Sequence, residues 1–251
     1  MNKTAIIIQA RTGSSRMPEK VILPFFEGRS IIEILIERLL KNCAVPVILA
    51  TTDSPADDPL AEKASAFPIR IFRGSEENVL DRFIQTSEKF GCTRLVRVCA
   101  DNPFLDAGAV NQLISAFTKH PSDYLSFRFS GERPSIKTHF GFFAEMTRLD
   151  TLRKVASLTS DKLYIEHVTN YIYGHPGRFD LQFLPAPELI FHRSDIRLTL
   201  DTPNDFAMQQ QIYAELSRQK GTFGIPEIVA YLDAHPEILQ QMNLEIEKNS
   251  K

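Results

Sequence analysis

Three short stretches hold the side chains that could do chemistry. The first is IIIQARTGSSRMPEK, residues 6 to 20, where an apolar run stops at Gln9 and Arg11, Gly13, Ser14, Ser15, Arg16 and Lys20 follow. Glycine and two serines let consecutive backbone N–H groups turn toward a bound anion, as a phosphate nest requires. Arg11, Arg16 and Lys20 add charge-assisted hydrogen bonds to the same anion. The pattern is not a P-loop, which needs Gly-Lys followed by Ser or Thr, nor a Gly-x-Gly-x-x-Gly fingerprint. Basic turns are common, so this stretch alone does not define a site.

The second stretch is VRVCADNPFLD, residues 96 to 106, where an apolar run leads into Asp101 and a turn at Asn102-Pro103. The third is RLTLDTPNDF, residues 197 to 206, where a similar run ends at Asp201. Two carboxylates at the ends of two strands can share a hard divalent cation. Mg²⁺ takes only one or two carboxylates and completes its octahedron with water and phosphate oxygens. An Asp ahead of a helix is often just its N-cap, and Asp201 is open to that objection.

Such residues need elements that bring them to one rim. Strand patterns cover Ala5–Gln9, Val45–Thr51, Ile69–Phe72, Leu95–Cys99 and Tyr124–Phe129. Helical patterns alternate with them at Ser30–Asn42, Asp58–Phe67, Glu77–Phe90 and Asp106–His120, the first opened by a Ser30/Glu33 capping box. This alternation predicts an α/β fold with a mostly parallel, doubly wound sheet. Ligands of such sheets bind beyond the C-terminal strand ends, where Arg11, Thr52, Asp101 and Asp201 fall. Residues 124 to 185 break the rhythm with the aromatic strands YLSFRF, HFGFF and FDLQFL and one helical stretch, YIEHVTNYIY. They read as a small inserted subdomain packed on the sheet. RLTLD (197 to 201) reads as one more core strand, and residues 222 to 251 as a helical tail interrupted near Pro236.

The totals bound the function. At 251 residues, 43% hydrophobic and 24% charged, the chain suits one α/β domain with an insertion. A net charge of −2 supplies no global basic field, so no nucleic-acid partner is expected and any anion site is local. No apolar run approaches the ~20 residues of a membrane span, and no signal segment opens the chain. The cysteines, Cys43, Cys92 and Cys99, fit a reducing compartment. A cytoplasmic protein without membrane partners is the expectation.

The motifs, quoted with EHVTNYIY, resemble those of the cytidylyltransferase family in the same order over nearly the whole chain. The nearest branch is the spore-coat polysaccharide biosynthesis type, alongside acylneuraminate and 3-deoxy-manno-octulosonate cytidylyltransferases. The resemblance implies a Rossmann-like nucleotidyltransferase (GT-A-like) fold, Mg²⁺ as cofactor, and CTP plus a small sugar as substrates. It implies a homodimer as well. It places Arg11, Gly13, Ser14 and Lys20 on the triphosphate, Asp101 and Asp201 on Mg²⁺, and Thr51, Thr52 and Asp53 near nucleobase and ribose. Arg82, in RGSEENVLDRF, is the implied nucleotide contact of that segment. A surface Arg at a helix start explains it equally well. His167 is more economically structural.

Two positions depart from that branch. Glu19 stands where it usually carries Gly, and GFFAE (141 to 145) replaces a Gly-Leu-Asp-Val-Glu type run, with Phe143 in place of the acidic residue. The acceptor side is thereby altered. Arg133, Lys137, His139, His167 and Arg178 supply cations for an acidic sugar there. Two other readings stand beside this one. A glycosyltransferase of similar fold usually carries Asp-x-Asp, which is absent; an inactive homologue serving as a binding subunit would not need both aspartates and Lys20. Neither the sugar nor CTP over UTP is fixed by these residues.

Overall fold

The computed structural model describes residues 3 to 249. Its strands are β1 (Thr4–Gln9), β2 (Pro24–Phe26), β3 (Arg29–Ser30), β4 (Val47–Thr52), β5 (Arg70–Gly74), β6 (Arg94–Cys99), β7 (Tyr124–Arg128), β8 (Glu145–Arg148) and β9 (Leu181–Pro185). The helices are α1 (Ile31–Asn42), α2 (Asp58–Ser65), α3 (Val79–Phe90), α4 (Ala107–Lys119), α5 (Leu149–Leu158), α6 (Lys162–Glu166), α7 (Asn170–Gly174), α8 (Glu188–Phe191), α9 (Pro203–Lys220), α10 (Ile225–Asp233) and α11 (Pro236–Lys248).

Seven strands form one sheet in the order β5-β4-β1-β6-β8-β7-β9, and β2 with β3 makes a separate hairpin. β5, β4, β1 and β6 run parallel, and β8 is antiparallel to both β6 and β7. The apolar runs are explained by burial on both faces. In β1, Ile6 and Ile8 enter the core under α1, α4 and α9, while Ala5 and Ile7 enter the core under α3 and α5. From β1 the chain moves outward to β4 and β5, then returns to the other side of β1 as β6. The switch point of the sheet therefore lies between β1 and β6. A crevice opens at such a point beyond the strand ends, and the segments that leave there carry Arg11 and Asp101.

The Ser30/Glu33 box is present: Ser30 N–H donates to Glu33 Oε2 at 2.8 Å, and α1 starts at Ile31. Residues 124 to 185, the expected insertion, enter the main sheet as β7, β8 and β9 and add α5 to α7. Three expectations are corrected. RLTLD belongs to no sheet, and Thr199 within it lies in a bend. Its Leu198 and Leu200 N–H groups donate to the carbonyls of His139 (2.7 Å) and Asp101 (2.9 Å), both in loops. HFGFF is irregular because Gly141 turns at φ 68°; a Cβ there would lie 2.4 Å from the Leu198 carbonyl oxygen. YIEHVTNYIY is split into α6 and α7 around His167.

Candidate active site

The loop after β1 is tied down by one buried carboxylate that the sequence motifs did not mark. Asp57 accepts from Thr12 N (2.7 Å) and Thr12 Oγ1 (2.6 Å), and from Thr51 Oγ1 at 3.1 Å. The N–H and hydroxyl of Thr52 donate to it too. Burial raises the Asp57 pKa, but the hydrogen bonds from Thr12, Thr52 and Thr51 outweigh it and hold the carboxyl below its usual range. Thr12 then organises its own loop, its carbonyl accepting from Ser14 N and Glu19 N, each at 2.8 Å. Glu19 closes the turn at φ 60°, in the left-handed region that glycine favours. Gly13 lies against the next loop, where a Cβ would meet Glu76 Oε1 at 3.3 Å.

The base and ribose candidates fall differently. Thr51 and Thr52 are fully buried and bonded to Asp57, so their side chains hold the loop and do not face the cleft. Asp53 is exposed, and its N–H donates to the Gly74 carbonyl at 2.9 Å. Arg82 is 1% exposed, donates to the Ser75 carbonyl at 2.6 Å, and leaves Nε without a partner. Burial, then the charge of Arg11, pushes its pKa down to about 10, which still leaves a cation at neutral pH. Arg82 is thus a buried charge beside the phosphate-type loop, not a surface residue at a helix start.

The two aspartates come together through the chain and through one lysine. Leu200 N–H donates to the Asp101 carbonyl at 2.9 Å, joining the two segments. Lys20 Nζ stands 3.6 Å from Asp101 Oδ2 and 3.9 Å from Asp201 Oδ1, and donates to the Leu200 carbonyl. Arg16 Nη2 reaches Asp201 Oδ1 at 2.7 Å. Behind them Arg197, wholly buried, grips Asp205 with Nε and Nη2, each at 2.8 Å, and holds Asp201 Oδ2 at 3.3 Å. Its Nη1 lies 2.8 Å from His139 Nδ1. Arginine keeps its protons, so Nδ1 accepts and His139 is the neutral tautomer protonated on Nε2. Thr202 caps α9 with Asp205 as its box partner, so Asp201 is not the N-cap. The Thr-x-x-Asp spacing in TPND carried that signal.

Arg11, Ser14, Arg16, Lys20, Asp101 and Asp201 all line one cleft of about 1000 Å³. The same cleft is lined by Arg133, Lys137, Phe143, His167 and Tyr173, and by Glu166, which pairs with Arg11 at 3.4 Å. Of the five cations expected on the acceptor side, Arg133, Lys137 and His167 face this cleft. His139 is buried against Arg197, and Arg178 donates to Tyr171 Oη at 3.2 Å, away from the cleft. Lys137 Nζ lies 5.0 Å over the Tyr173 ring, and Phe143 stacks on Phe127 at 4.5 Å. Beneath this lining is a buried network that sequence motifs did not reveal. Arg97 pairs with Glu145 at 2.7 Å and donates to Gln9 Oε1 at 3.1 Å, while Tyr124 and Thr169 donate to the same carboxylate.

A divalent cation fits this set. Asp101 and Asp201 are hard oxygen donors on one wall, and the neighbouring Asn102 Oδ1 and Thr199 Oγ1 are buried without a protein partner. Among the described residues no group of three or more His, Cys, Asp or Glu side chains is placed to hold a metal. A pair of carboxylates suits Mg²⁺, which keeps water and phosphate ligands, better than a metal needing an all-protein cage. No helix among the described residues is long and apolar enough to cross a membrane.

The cytidylyltransferase profile matches residues 5 to 244. The spore coat polysaccharide biosynthesis protein of Bacillus subtilis is 32% identical over 243 residues, 94% of this chain and 97% of that protein. A 3-deoxy-manno-octulosonate cytidylyltransferase of Escherichia coli is 27% identical over 122 residues, 49% of each chain. Among solved structures, a cytidylyltransferase from Leptospira borgpetersenii superposes with a TM-score of 0.84 at 25% identity, covering 96% of this chain and 98% of that one. Agreement over that much of the length, in sequence and in fold, settles membership: the chain belongs to the cytidylyltransferase family.

Proposed function

We propose that the protein transfers CMP from CTP to an acidic sugar, giving a CMP-sugar and pyrophosphate, with Mg²⁺ held by Asp101 and Asp201. The observation that carries this reading is the switch-point cleft, where a three-cation loop meets two carboxylates that share Lys20. Arg11, Arg16 and Lys20 take the triphosphate and neutralise charge that builds on the leaving pyrophosphate. Buried Arg82 reinforces the potential behind Arg11. The acceptor oxygen, presented within the same cleft, attacks the α-phosphorus as the bond to the bridging oxygen of pyrophosphate breaks. Its proton leaves to solvent or to a nearby carboxylate. Orientation in the cleft supplies much of the rate, since no covalent side-chain chemistry is needed. Bound at the two aspartates, Mg²⁺ supplies charge neutralisation on the phosphate oxygens.

An acidic acceptor is supported by Arg133, Lys137 and His167 on the acceptor wall, and by the printed name of the Escherichia coli relative. A role in surface polysaccharide synthesis is supported by the name of the Bacillus subtilis relative. Reaction in the cytoplasm and a homodimeric state complete the reading. A pyrophosphate-release screen of four nucleoside triphosphates against acidic sugars, sugar phosphates and neutral sugars tests it. Release only with CTP and an anionic acceptor is expected. Release confined to neutral acceptors refutes the acceptor class, and none with any pair refutes the catalytic reading.

A further inference from the structure

The ion pairs around Asp201 form a balanced set. Asp101, Asp201 and Asp205 face Lys20, Arg16 and Arg197, and His139 beside Arg197 is neutral. These cations differ in how closely they are held. Arg197 is wholly buried and clamped by both Asp205 oxygens, so that pair is fixed and self-neutral. Arg16 is half exposed and held to Asp201 by a single 2.7 Å contact. Lys20 is buried and donates to the Leu200 carbonyl, and it reaches the two remaining carboxylates only at 3.6 and 3.9 Å. One divalent cation therefore has the charge to replace Arg16 and Lys20 together.

We propose that Arg16 and Lys20 compete with the divalent cation for Asp101 and Asp201, and that the triphosphate admits the metal by drawing these two cations onto its own oxygens. The inference rests on the metal reading above and adds an order: the metal enters with the nucleotide, not before it. Arg16 then has two successive partners, Asp201 before the nucleotide binds and the triphosphate afterwards. The geometry favours this over independent metal entry, because Asp201 Oδ1 is within 4 Å of both cations while Oδ2 faces Arg197. An ion arriving alone would have to share that oxygen with both positive charges. The triphosphate is the partner that removes the repulsion, being the group the basic loop is built to bind.

The test is Mn²⁺ binding by electron paramagnetic resonance titration, with and without CTP. Wild type should bind Mn²⁺ weakly alone and at least about tenfold more tightly with CTP. Arg16→Gln, which removes a cation in contact with Asp201, should bind Mn²⁺ alone about tenfold more tightly than wild type. Its gain from CTP should shrink accordingly, and Lys20→Met should move in the same direction. Adding Asp201→Asn to Arg16→Gln should abolish the gain. A purely structural Arg16 would not tighten metal binding when removed. Nucleotide-free Mn²⁺ affinity unchanged or weakened in both single variants overturns the proposal, as does a gain that survives Asp201→Asn. If wild type binds Mn²⁺ through Asp101 and Asp201 with CTP while the variants fail to tighten, only the ordering falls. If no Mn²⁺ binds with CTP present, the metal reading falls with it.

Discussion

Asp57→Asn is the sharpest probe of how the fold builds the basic loop after β1. The Asp57 carboxylate is 2% exposed and accepts from Thr12 twice, from Thr52 twice and from Thr51 once. Asn keeps one acceptor oxygen but turns an amide N–H₂ toward donors that lie around the other. At least two donors then lose their partner inside the protein, and each costs roughly 1–3 kcal/mol. Some of that returns through rotation of a threonine hydroxyl or a bridging water, so the expected loss is about 3 kcal/mol. For a chain of this size that lowers the melting temperature by roughly 6–12 °C. The pH dependence follows from the direction of the shift. Because the folded pKa of Asp57 lies below its unfolded value, the stabilisation is full above about pH 4 and is lost as pH falls through the folded pKa. The gap between wild type and Asp57→Asn should therefore narrow under acid. CTP affinity, read by calorimetry, should drop about tenfold, because Thr12 no longer fixes the Ser14 and Glu19 turn. A variant within about 0.5 kcal/mol of wild type by denaturant unfolding, with CTP affinity intact, would refute the reasoning.

Three further outcomes are expected. Asp101→Asn and Asp201→Asn should each lower turnover by about 100-fold or more while unfolding cooperatively; near-normal turnover in Asp201→Asn would show that its charge is not used. Lys20→Ala should weaken CTP binding by ~2 kcal/mol and CMP binding by less, and equal losses in calorimetry would remove Lys20 from the outer phosphates. Glu19→Gly should raise stability by roughly 0.5–1 kcal/mol, since Glu19 sits at φ 60°, and a destabilised variant would mean that side-chain contacts outweigh the backbone term.

Much of the nucleotide side could be read from sequence because its cues are local. Apolar runs buried on both faces mark β1, β4 and β6; Arg11 and Asp101, just past β1 and β6, line the cleft, while Thr51 and Thr52 at the end of β4 do not. The misreadings arise where burial and hydrogen bonding part company. RLTLD carries Leu198 and Leu200 into the core like a strand, yet its donors go to loop carbonyls. β8, EMTR, shows no apolar run because Glu145 and Thr147 are buried with polar partners. Asp57 is 45 residues from Thr12 in the chain, and within Ser-Pro-Ala-Asp-Asp it reads only as the start of a helix. Arg197 looks like a strand flank and proves wholly buried. Nothing local to these residues announces a partner elsewhere in the chain.

Phe143, the expected departure from the pattern of the resembled family, becomes interpretable only with the fold. Its ring stacks on Phe127 at 4.5 Å and meets Phe129 and Phe142 edge-on at 5.9 and 6.1 Å, so it completes an aromatic cluster. It is 9% exposed, and that sliver lies in the cleft wall. A carboxylate at this position would line the same cleft as Arg133 and Lys137 and offset part of their charge. With Phe143 in place, Arg133 and Lys137 stand beside an apolar surface, and Glu166 is a carboxylate of the same lining. Glu145, two residues on, does not restore the balance, because Arg97 already pairs with it at 2.7 Å. On the proposed function, Phe143 thus leaves the acceptor side without an added carboxylate while the basic loop and both aspartates keep their places in the same cleft.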